Sequence, residues 1–187
     1  SKGTCLNRAI KICKSAYFIR CDMDDEIYQY RFQETKNLIL KSKVKIDLIY
    51  SDLIDRVKKK LISYPDPKNL SFYSIWRNPI PAPTICIRKE FMIQNKITYP
   101  PYNRCEDFFI VLKFIDQSAK ILKISKPLVG YENNNLLKRD YKNWIKNAQI
   151  RFNRKRYDLI GIFSFIFGIL ILIYGILKYF YDKLILK

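Results

Sequence analysis

Short apolar runs alternate with amphipathic stretches along the first two thirds of the chain. Alternating or continuous apolar residues predict buried strands, and apolar residues three or four positions apart predict helices. The predicted strands are 16–19, 46–50, 84–87 and 121–124, with Pro127 closing the last, and the predicted helices are 5–14, 28–40 and 51–63. This succession predicts an α/β fold with a mostly parallel sheet.

Polar, irregular stretches separate these elements. Residues 64–83 and 93–104 are rich in Pro, Asn and aromatic residues. Long loops of this kind often form binding loops or lids in compact domains. A further polar stretch, 131–153, is predicted to include a basic helix around Trp144.

The longest apolar run, 159–177, contains no charged residue. Nineteen helical residues at ~1.5 Å each span about 28 Å, close to the hydrocarbon thickness of a bilayer. We therefore predict one transmembrane helix at 158–180, preceded by a basic juxtamembrane segment at 136–157 and followed by a short basic tail at 181–187. Tyrosines near both ends are typical of an aromatic belt; they are Tyr157, Tyr174, Tyr179 and Tyr181.

Three glycines recur every seven residues within this run, at Gly161, Gly168 and Gly175. Small residues on one helix face allow close approach, which predicts a helix–helix contact between copies of the chain. The alternative is glycine incidental to a lipid-facing helix, because the spacing differs from the four-residue motif.

Charge and cysteine content narrow the classes of function. The chain has 35 Lys and Arg against 17 Asp and Glu, a formal charge of +18, which suggests nucleic acid or an anionic lipid surface as partner. The apolar run favours membrane lipid, and no nucleic-acid recognition motif is present. The absence of histidine excludes Ser-His-Asp and Cys-His sites. Five cysteines without a C-x-x-C pair argue against ordinary zinc sites and fit a reducing compartment, which favours a cytosolic domain.

An acidic turn follows the first predicted strand, with Asp22, Asp24 and Asp25 within four positions. Ligands of open α/β sheets bind where strands end. Clustered carboxylates at this place suit Mg²⁺ or Mn²⁺ held together with substrate phosphates. The alternative is a solvated turn in which Asp24 or Asp25 caps the next helix.

A second acidic pair, Glu106 and Asp107, directly precedes the apolar run 108–112. A carboxylate at a helix N-terminus is favourable by itself, because of the helix dipole. The functional alternative is that Asp107 acts as a general base at the mouth of a pocket.

Two groups of residues resemble family 2 glycosyltransferases. The first comprises Leu6-Asn7, the stretch KSAYFIRCDMDD at 14–25, and Arg31-Phe32; the second comprises 78–80, 84–89, 106–113 and 126–131. The order and spacing agree over about 6–135. The resemblance implies a GT-A, Rossmann-like fold over 1–135 and inverting transfer of a sugar from a nucleotide-diphosphate sugar. The acceptor would be a glycan or a lipid-linked molecule, at the inner membrane of a bacterium.

The resemblance also implies roles for single residues. Asp24 and Asp22 would bind Mg²⁺ or Mn²⁺, and Asp22, Asp25 and Arg31 would contact the nucleotide sugar. In the second group, Asp107 would deprotonate the acceptor hydroxyl, and Glu106 would orient the acceptor.

The chain departs from the family pattern at two places. Glu132-Asn133 stands where a basic pair usually follows the last tyrosine, which weakens the expected phosphate contact of that loop. Only 21 residues precede Asp22, so we expect most of the unit that binds the nucleotide base to be missing. The competing hypothesis is a non-enzymatic, basic, membrane-anchored interaction protein. An enzyme requires Asp22, Asp24 and Asp107 to converge on one cleft, whereas an interaction protein does not.

Overall fold

The computed structural model describes residues 1–102, 104–132, 141–154 and 158–185, with side chains up to 181. The helices are α1 (Lys2–Ile12), α2 (Arg31–Lys41), α3 (Leu70–Tyr73), α4 (Lys89–Gln94), α5 (Glu106–Asp116), α6 (Tyr141–Phe152) and α7 (Leu159–Ile185), with single 3₁₀ turns at Pro67–Asn69 and Ala82–Thr84. The strands are β1 (Tyr17–Ile19), β2 (Glu26–Ile27), β3 (Leu48–Asp55), β4 (Lys60–Ile62), β5 (Cys86–Arg88) and β6 (Ile121–Tyr131). The predicted domain boundary at 135 and Tyr157 lie outside these residues.

The six strands form one mixed sheet in the order β1-β5-β3-β6-β2, with β4 also paired to β3. Among the strands described, only β3 and β6 pair in parallel, and the other four pairings are antiparallel. The predicted α/β class is therefore right in outline, but the mostly parallel sheet is wrong. The reason is that β4 and β5 both run back along the edge of β3 that β6 leaves open.

The helix predicted at 51–63 is also wrong, because β3 continues to Asp55 and a hairpin follows it. The Asp55 carboxylate accepts hydrogen bonds of 3.0 Å from the backbone N–H groups of Val57 and Lys58. Lys59 adopts a left-handed backbone with φ of 49°, and β4 then returns along β3. Turn chemistry at Asp55 therefore overrides the helical spacing of the apolar residues.

β6 is longer than the predicted strand at 121–124 and continues past Pro127. The register between β3 and β6 shifts between Ser51 and Leu53, and Pro127 lies in the resulting irregularity. Proline is tolerated at such a bulge because no ladder hydrogen bond is required of it there. The prediction that Pro127 closes the strand is therefore wrong.

Helices cover both faces of the sheet. On one face, the main core cluster joins strand residues such as Leu48 and Ile87 to Ile110 and Phe114 of α5. On the other face, a smaller cluster packs Ile49 and its neighbours against α2. This layered core positions the end of β1, before the acidic turn, and the start of α5.

The first helix is fixed by contacts to the loop before α5. The Asn7 side chain donates a 2.7 Å hydrogen bond to the Tyr99 carbonyl and accepts one of 2.8 Å from the Tyr99 N–H. Gly3 lies directly against the backbone of Pro100. α1 therefore stands close to the start of α5.

We expect Gly3→Ala to destabilise the protein by about 1–3 kcal/mol, the usual cost of overpacking. A Cβ at Gly3 would overlap the Pro100 carbonyl oxygen, which is backbone and cannot move aside cheaply. Gly130→Ala is the matched control, because its Cβ would meet the exposed, flexible side chains of Glu26 and Arg56. Urea unfolding of both variants measures the difference; equal stability would contradict the docking of α1.

The C-terminal helices form a hairpin on the domain. α6, which includes Trp144 as predicted, packs against α7. The segment Leu159–Tyr181 of α7 is long and apolar enough to cross a membrane, a property shared with core helices of soluble proteins. Gly168 and Gly175 face Phe152 and Trp144 of α6. The glycine face predicted to join copies is therefore covered within the same chain.

Candidate active site

The acidic turn begins where β1 leaves the sheet. The Arg20 N–H still donates to the Ile85 carbonyl, and the Asp25 N–H donates to the Asp22 carbonyl to close the turn. Arg31, at the start of α2, is almost fully buried behind it. Its guanidinium donates to the carbonyls of Arg20, at 3.1 Å, and Pro83, at 2.6 Å. Arg31 therefore supports the backbone of the turn, and its predicted contact with a nucleotide sugar stays a prediction.

Arg20 connects the two acidic segments of the sequence. Its Nε and Nη2 bind both oxygens of Asp22, at 3.1 and 2.9 Å. The same Nη2 lies 3.8 Å from Oε1 of Glu106. Because Arg20 and Glu106 are each only 7% exposed, this link lies inside the protein.

Lys2 of α1 makes a second connection between the same carboxylates. Its Nζ lies 3.4 Å from Asp22 Oδ2 and 3.8 Å from Glu106 Oε1. Two cations therefore hold Asp22 and Glu106 together, although 84 positions separate these carboxylates in the sequence.

The environment of Asp22 favours its charged form. Burial alone would raise the pKa of Asp22, but the hydrogen bonds and charge of Arg20, with those of Lys2, outweigh it and lower that pKa below its usual value. Asp25 shows the opposite balance. Its burial and the charges of Asp22 and Asp24 raise its pKa.

Asp107 lies in the first turn of α5, as the sequence predicts. The residue before the helix, Cys105, has a left-handed backbone with φ of 57°. Such conformations are uncommon for residues other than glycine and recur at functional sites. Asn78, from the loop before β5, donates a 3.2 Å hydrogen bond to Asp107 Oδ2. The Asp107 carboxylate is therefore held in one orientation.

The charge of Asp107 acts on two tyrosines, the buried Tyr99 and the half-buried Tyr64. Burial is the main cause that raises the pKa of Tyr99 to about 12, and the charge of Asp107 adds to it while Arg20 opposes it. Burial likewise raises the pKa of Tyr64 to about 12, with Asp107 again contributing. Both hydroxyls therefore stay protonated near neutral pH.

Among the carboxylates of the turn, Asp24 is the one most open to a divalent cation, and its predicted metal role stays a prediction. The Asp24 residue is exposed, and one buried oxygen of Asp25 accepts no hydrogen bond. Both Asp22 oxygens, in contrast, are bound to Arg20. Within the described part of the chain, no three Asp, Glu or Cys side chains form a ready-made metal cluster. One carboxylate together with substrate phosphates is a usual arrangement for Mg²⁺.

Sequence reasoning assigned no role to Arg20, Lys2, Asn78 or Tyr99. Arg20 carried a usable signal, since it is a charge placed directly after the apolar strand 16–19 and before the acidic turn. The sequence carried no comparable signal for Lys2 and Tyr99, because their positions near the acidic residues depend on the docking of α1.

The fold resembles that of TarS from S. aureus, a glycosyltransferase. The crystal structure of TarS 1-349 has a TM-score of 0.61 at 15% identity, over 90% of this chain and 50% of that one. Its complex with UDP-GlcNAc has a TM-score of 0.57 at 15% identity, over 91% of this chain and 50% of that one. The complex with UDP has a TM-score of 0.58 at 15% identity, over 96% and 52%.

These likenesses concern the fold. The chain spans about half the length of the TarS structures that it matches. No family model matches the sequence, and no curated protein matches it either.

Proposed function

We propose that this chain carries the metal-binding and base carboxylates of an inverting glycosyltransferase. The enzyme would move a sugar from a nucleotide-diphosphate sugar to a glycan or lipid-linked acceptor at a bacterial inner membrane. The fold likeness to TarS and the resemblance to family 2 glycosyltransferases support this proposal. All five cysteines, which lie in the described part of the chain, are free thiols, and this supports a cytosolic domain.

The observation that carries the proposal is the link between the two acidic segments through Arg20. Asp22 and Glu106 bind the same guanidinium, and Asp107 follows Glu106 on the first turn of α5. The acidic turn and the α5 carboxylates therefore border one region. This proximity of the two acidic segments supports the enzymatic hypothesis, and the convergence of Asp24 with Asp107 stays a prediction.

On the donor side, charge develops on the diphosphate as the sugar bond breaks. A divalent ion at Asp24 would neutralise part of that charge. Lys2 and Arg20 pair with Asp22 and Glu106 beside the turn, which reduces the repulsion between these carboxylates and the diphosphate. Asp22 holds Arg20 in place, and its predicted contacts with the metal and the nucleotide sugar stay predictions. Asp25 would contact the nucleotide sugar.

On the acceptor side, Asp107 would take the proton of the attacking hydroxyl. Asn78 fixes the Asp107 carboxylate, and Glu106 would orient the acceptor or Asp107. Attack from the face opposite the leaving diphosphate inverts the configuration at the anomeric carbon of the sugar. This is the same use of a carboxylate base as in inverting glycosidases.

Asp24→Asn tests the donor side of the proposal. We expect the variant to weaken Mn²⁺-dependent binding of UDP-GlcNAc about tenfold or more, because loss of a ligand costs at least as much as loss of a residue that supports one. The isolated chain should bind with a Kd above the micromolar range, so the titration must extend to millimolar donor. Asp66→Asn, at another exposed carboxylate, is the control. Calorimetry measures the affinity for UDP-GlcNAc with and without Mn²⁺. If Mn²⁺ changes this affinity equally in both variants, the metal role of Asp24 is contradicted.

A further inference from the structure

α6 lies between the domain and α7, and runs alongside both. Towards the domain, Arg154 just after α6 pairs with Asp116 at 2.6 Å, and Asn143 accepts a hydrogen bond from the Cys105 thiol. These pairs have nearly the same sequence separation, so α5 and α6 run in parallel. Towards α7, the ring pairs Phe152–Phe165, Trp144–Tyr174 and Tyr141–Tyr179 show that α6 and α7 run antiparallel over the whole length of α6.

Arg151 fastens this hairpin to the domain. Its side chain is buried and donates to the carbonyls of Ser74, at 2.8 Å, and Ile75, and to the hydroxyl of Ser164 on α7, at 3.3 Å. The guanidinium also lies 4.8 Å from the ring centre of Phe108 on α5 and 5.3 Å from that of Phe167 on α7. One side chain therefore contacts the domain, α5 and α7 at once.

This packing conflicts with a helix that crosses the bilayer. If α7 stood across the hydrocarbon, α6 and the α5 layer beside it would enter the hydrocarbon too. Lys142, Lys146 and Gln149 of α6 would then leave water. Lysine side chains in the centre of a bilayer are costly and rare. Either the hairpin comes apart or α7 does not span.

We propose that α7 lies flat in the membrane interface, with its exposed face among the acyl chains and α6 between it and the domain. The exposed apolar residues include Leu159, Phe163, Ile166, Leu170, Ile173 and Leu177. Within 159–177, only Ser164 and Tyr174 carry hydrogen-bonding side chains, and Ser164 is buried. The described part of this face therefore offers few hydrogen-bonding groups, and acyl chains require none.

The surroundings of α7 suit an anionic bilayer surface. Tyr174 and Tyr181 are exposed at its C-terminal half, where interfacial aromatic residues are favoured. Lys142 of α6 is also exposed, and the formal charge of the whole chain is +18. Cationic residues next to an apolar face strengthen binding to anionic lipid. The inference does not depend on the proposed sugar transfer.

Vesicle binding tests the occupant of this face. The chain should cosediment with vesicles of phosphatidylcholine and phosphatidylglycerol, and Ile166→Glu with Ile173→Glu should lower the partition coefficient at least about tenfold. Ile12→Glu, at an equally apolar and more exposed residue of α1, should leave the partition coefficient unchanged. Failure of the unmodified chain to bind overturns the proposal, as does a dimer in solution that the two glutamates dissociate.

Depth measurements separate a flat helix from a spanning one. Phe163, Leu170 and Leu177 are 55%, 57% and 63% exposed and share one side of α7, because seven residues make almost two turns. Tryptophan at each position keeps the face apolar, so folding is preserved. Quenching of the introduced tryptophan fluorescence, by lipids brominated at shallow or deep acyl positions, measures depth. All three tryptophans should lie at the same shallow depth. A deep Leu170→Trp signal between two shallow ones overturns the flat arrangement.

Discussion

Asp107→Asn is expected to lower the rate of sugar transfer by the native protein roughly 10²–10⁴-fold, the usual contribution of a general base. The amide has nearly the shape of the carboxylate, and its oxygen can still accept the hydrogen bond from Asn78. It cannot take the proton of the acceptor hydroxyl. UDP release from UDP-GlcNAc, with water or a glycan as acceptor, measures the rate.

The control for this variant is donor affinity. Asp107 has no role in holding the diphosphate in this proposal, so the Kd for UDP should stay within about twofold of the unmodified protein. Unchanged turnover in the asparagine variant would remove Asp107 as the base. Loss of UDP binding together with turnover would instead indicate that Asp107 belongs to the donor side.

Arg20→Met should destabilise the protein by about 3–5 kcal/mol, the usual cost of removing one partner from a buried ion pair. Methionine fills much of the space of the arginine stem but leaves the buried Glu106 with Lys2, at 3.8 Å, as its ion-pair partner among the described residues. Asp22 loses the two hydrogen bonds that bind both of its oxygens. Urea unfolding at neutral pH measures the loss.

The matched control is Arg56→Met. Arg56 pairs with Glu26 at 3.6 Å, but both side chains are about half exposed, so the loss should be at most about 1 kcal/mol. Similar losses in the two variants would contradict a buried link between the acidic segments.

The effect of Arg20→Met should depend on pH through Asp22. Because the folded protein lowers the pKa of Asp22, its stabilising contribution is complete above the unfolded value of about 3.9. It is lost as pH falls through the lower folded value. The difference in unfolding free energy between the unmodified protein and Arg20→Met should therefore shrink below pH 4.

The acidic turn and the α5 carboxylates could be located from the sequence because each follows a local rule. A strand end at Ile19 and a helix start at Glu106 are both marked by the adjoining apolar runs. Their connection could not be predicted, because Arg20 after β1 and Glu106 on α5 come together only in the folded chain. Long-range packing decides which cation lies between two acids.

The errors of the sequence prediction have the same origin. Residues 51–63 fit a helical spacing, but the pairing of β3 with both β4 and β6 makes Ser51 to Asp55 a strand. Likewise, the strands are mostly antiparallel because β4 and β5 both run back along β3. The sequence correctly predicts that α7 is a long apolar helix. It does not predict which side of α7 is covered, because α6 determines that.

A crystal structure of the native protein with Mn²⁺ and UDP tests the central claim most directly. The account predicts the metal in direct contact with an Asp24 oxygen, and the diphosphate between the acidic turn and the first turn of α5, facing Asp107. Arg20 should still bind both Asp22 oxygens. A nucleotide bound elsewhere, with Asp24 and Asp107 both turned away from it, would contradict the account.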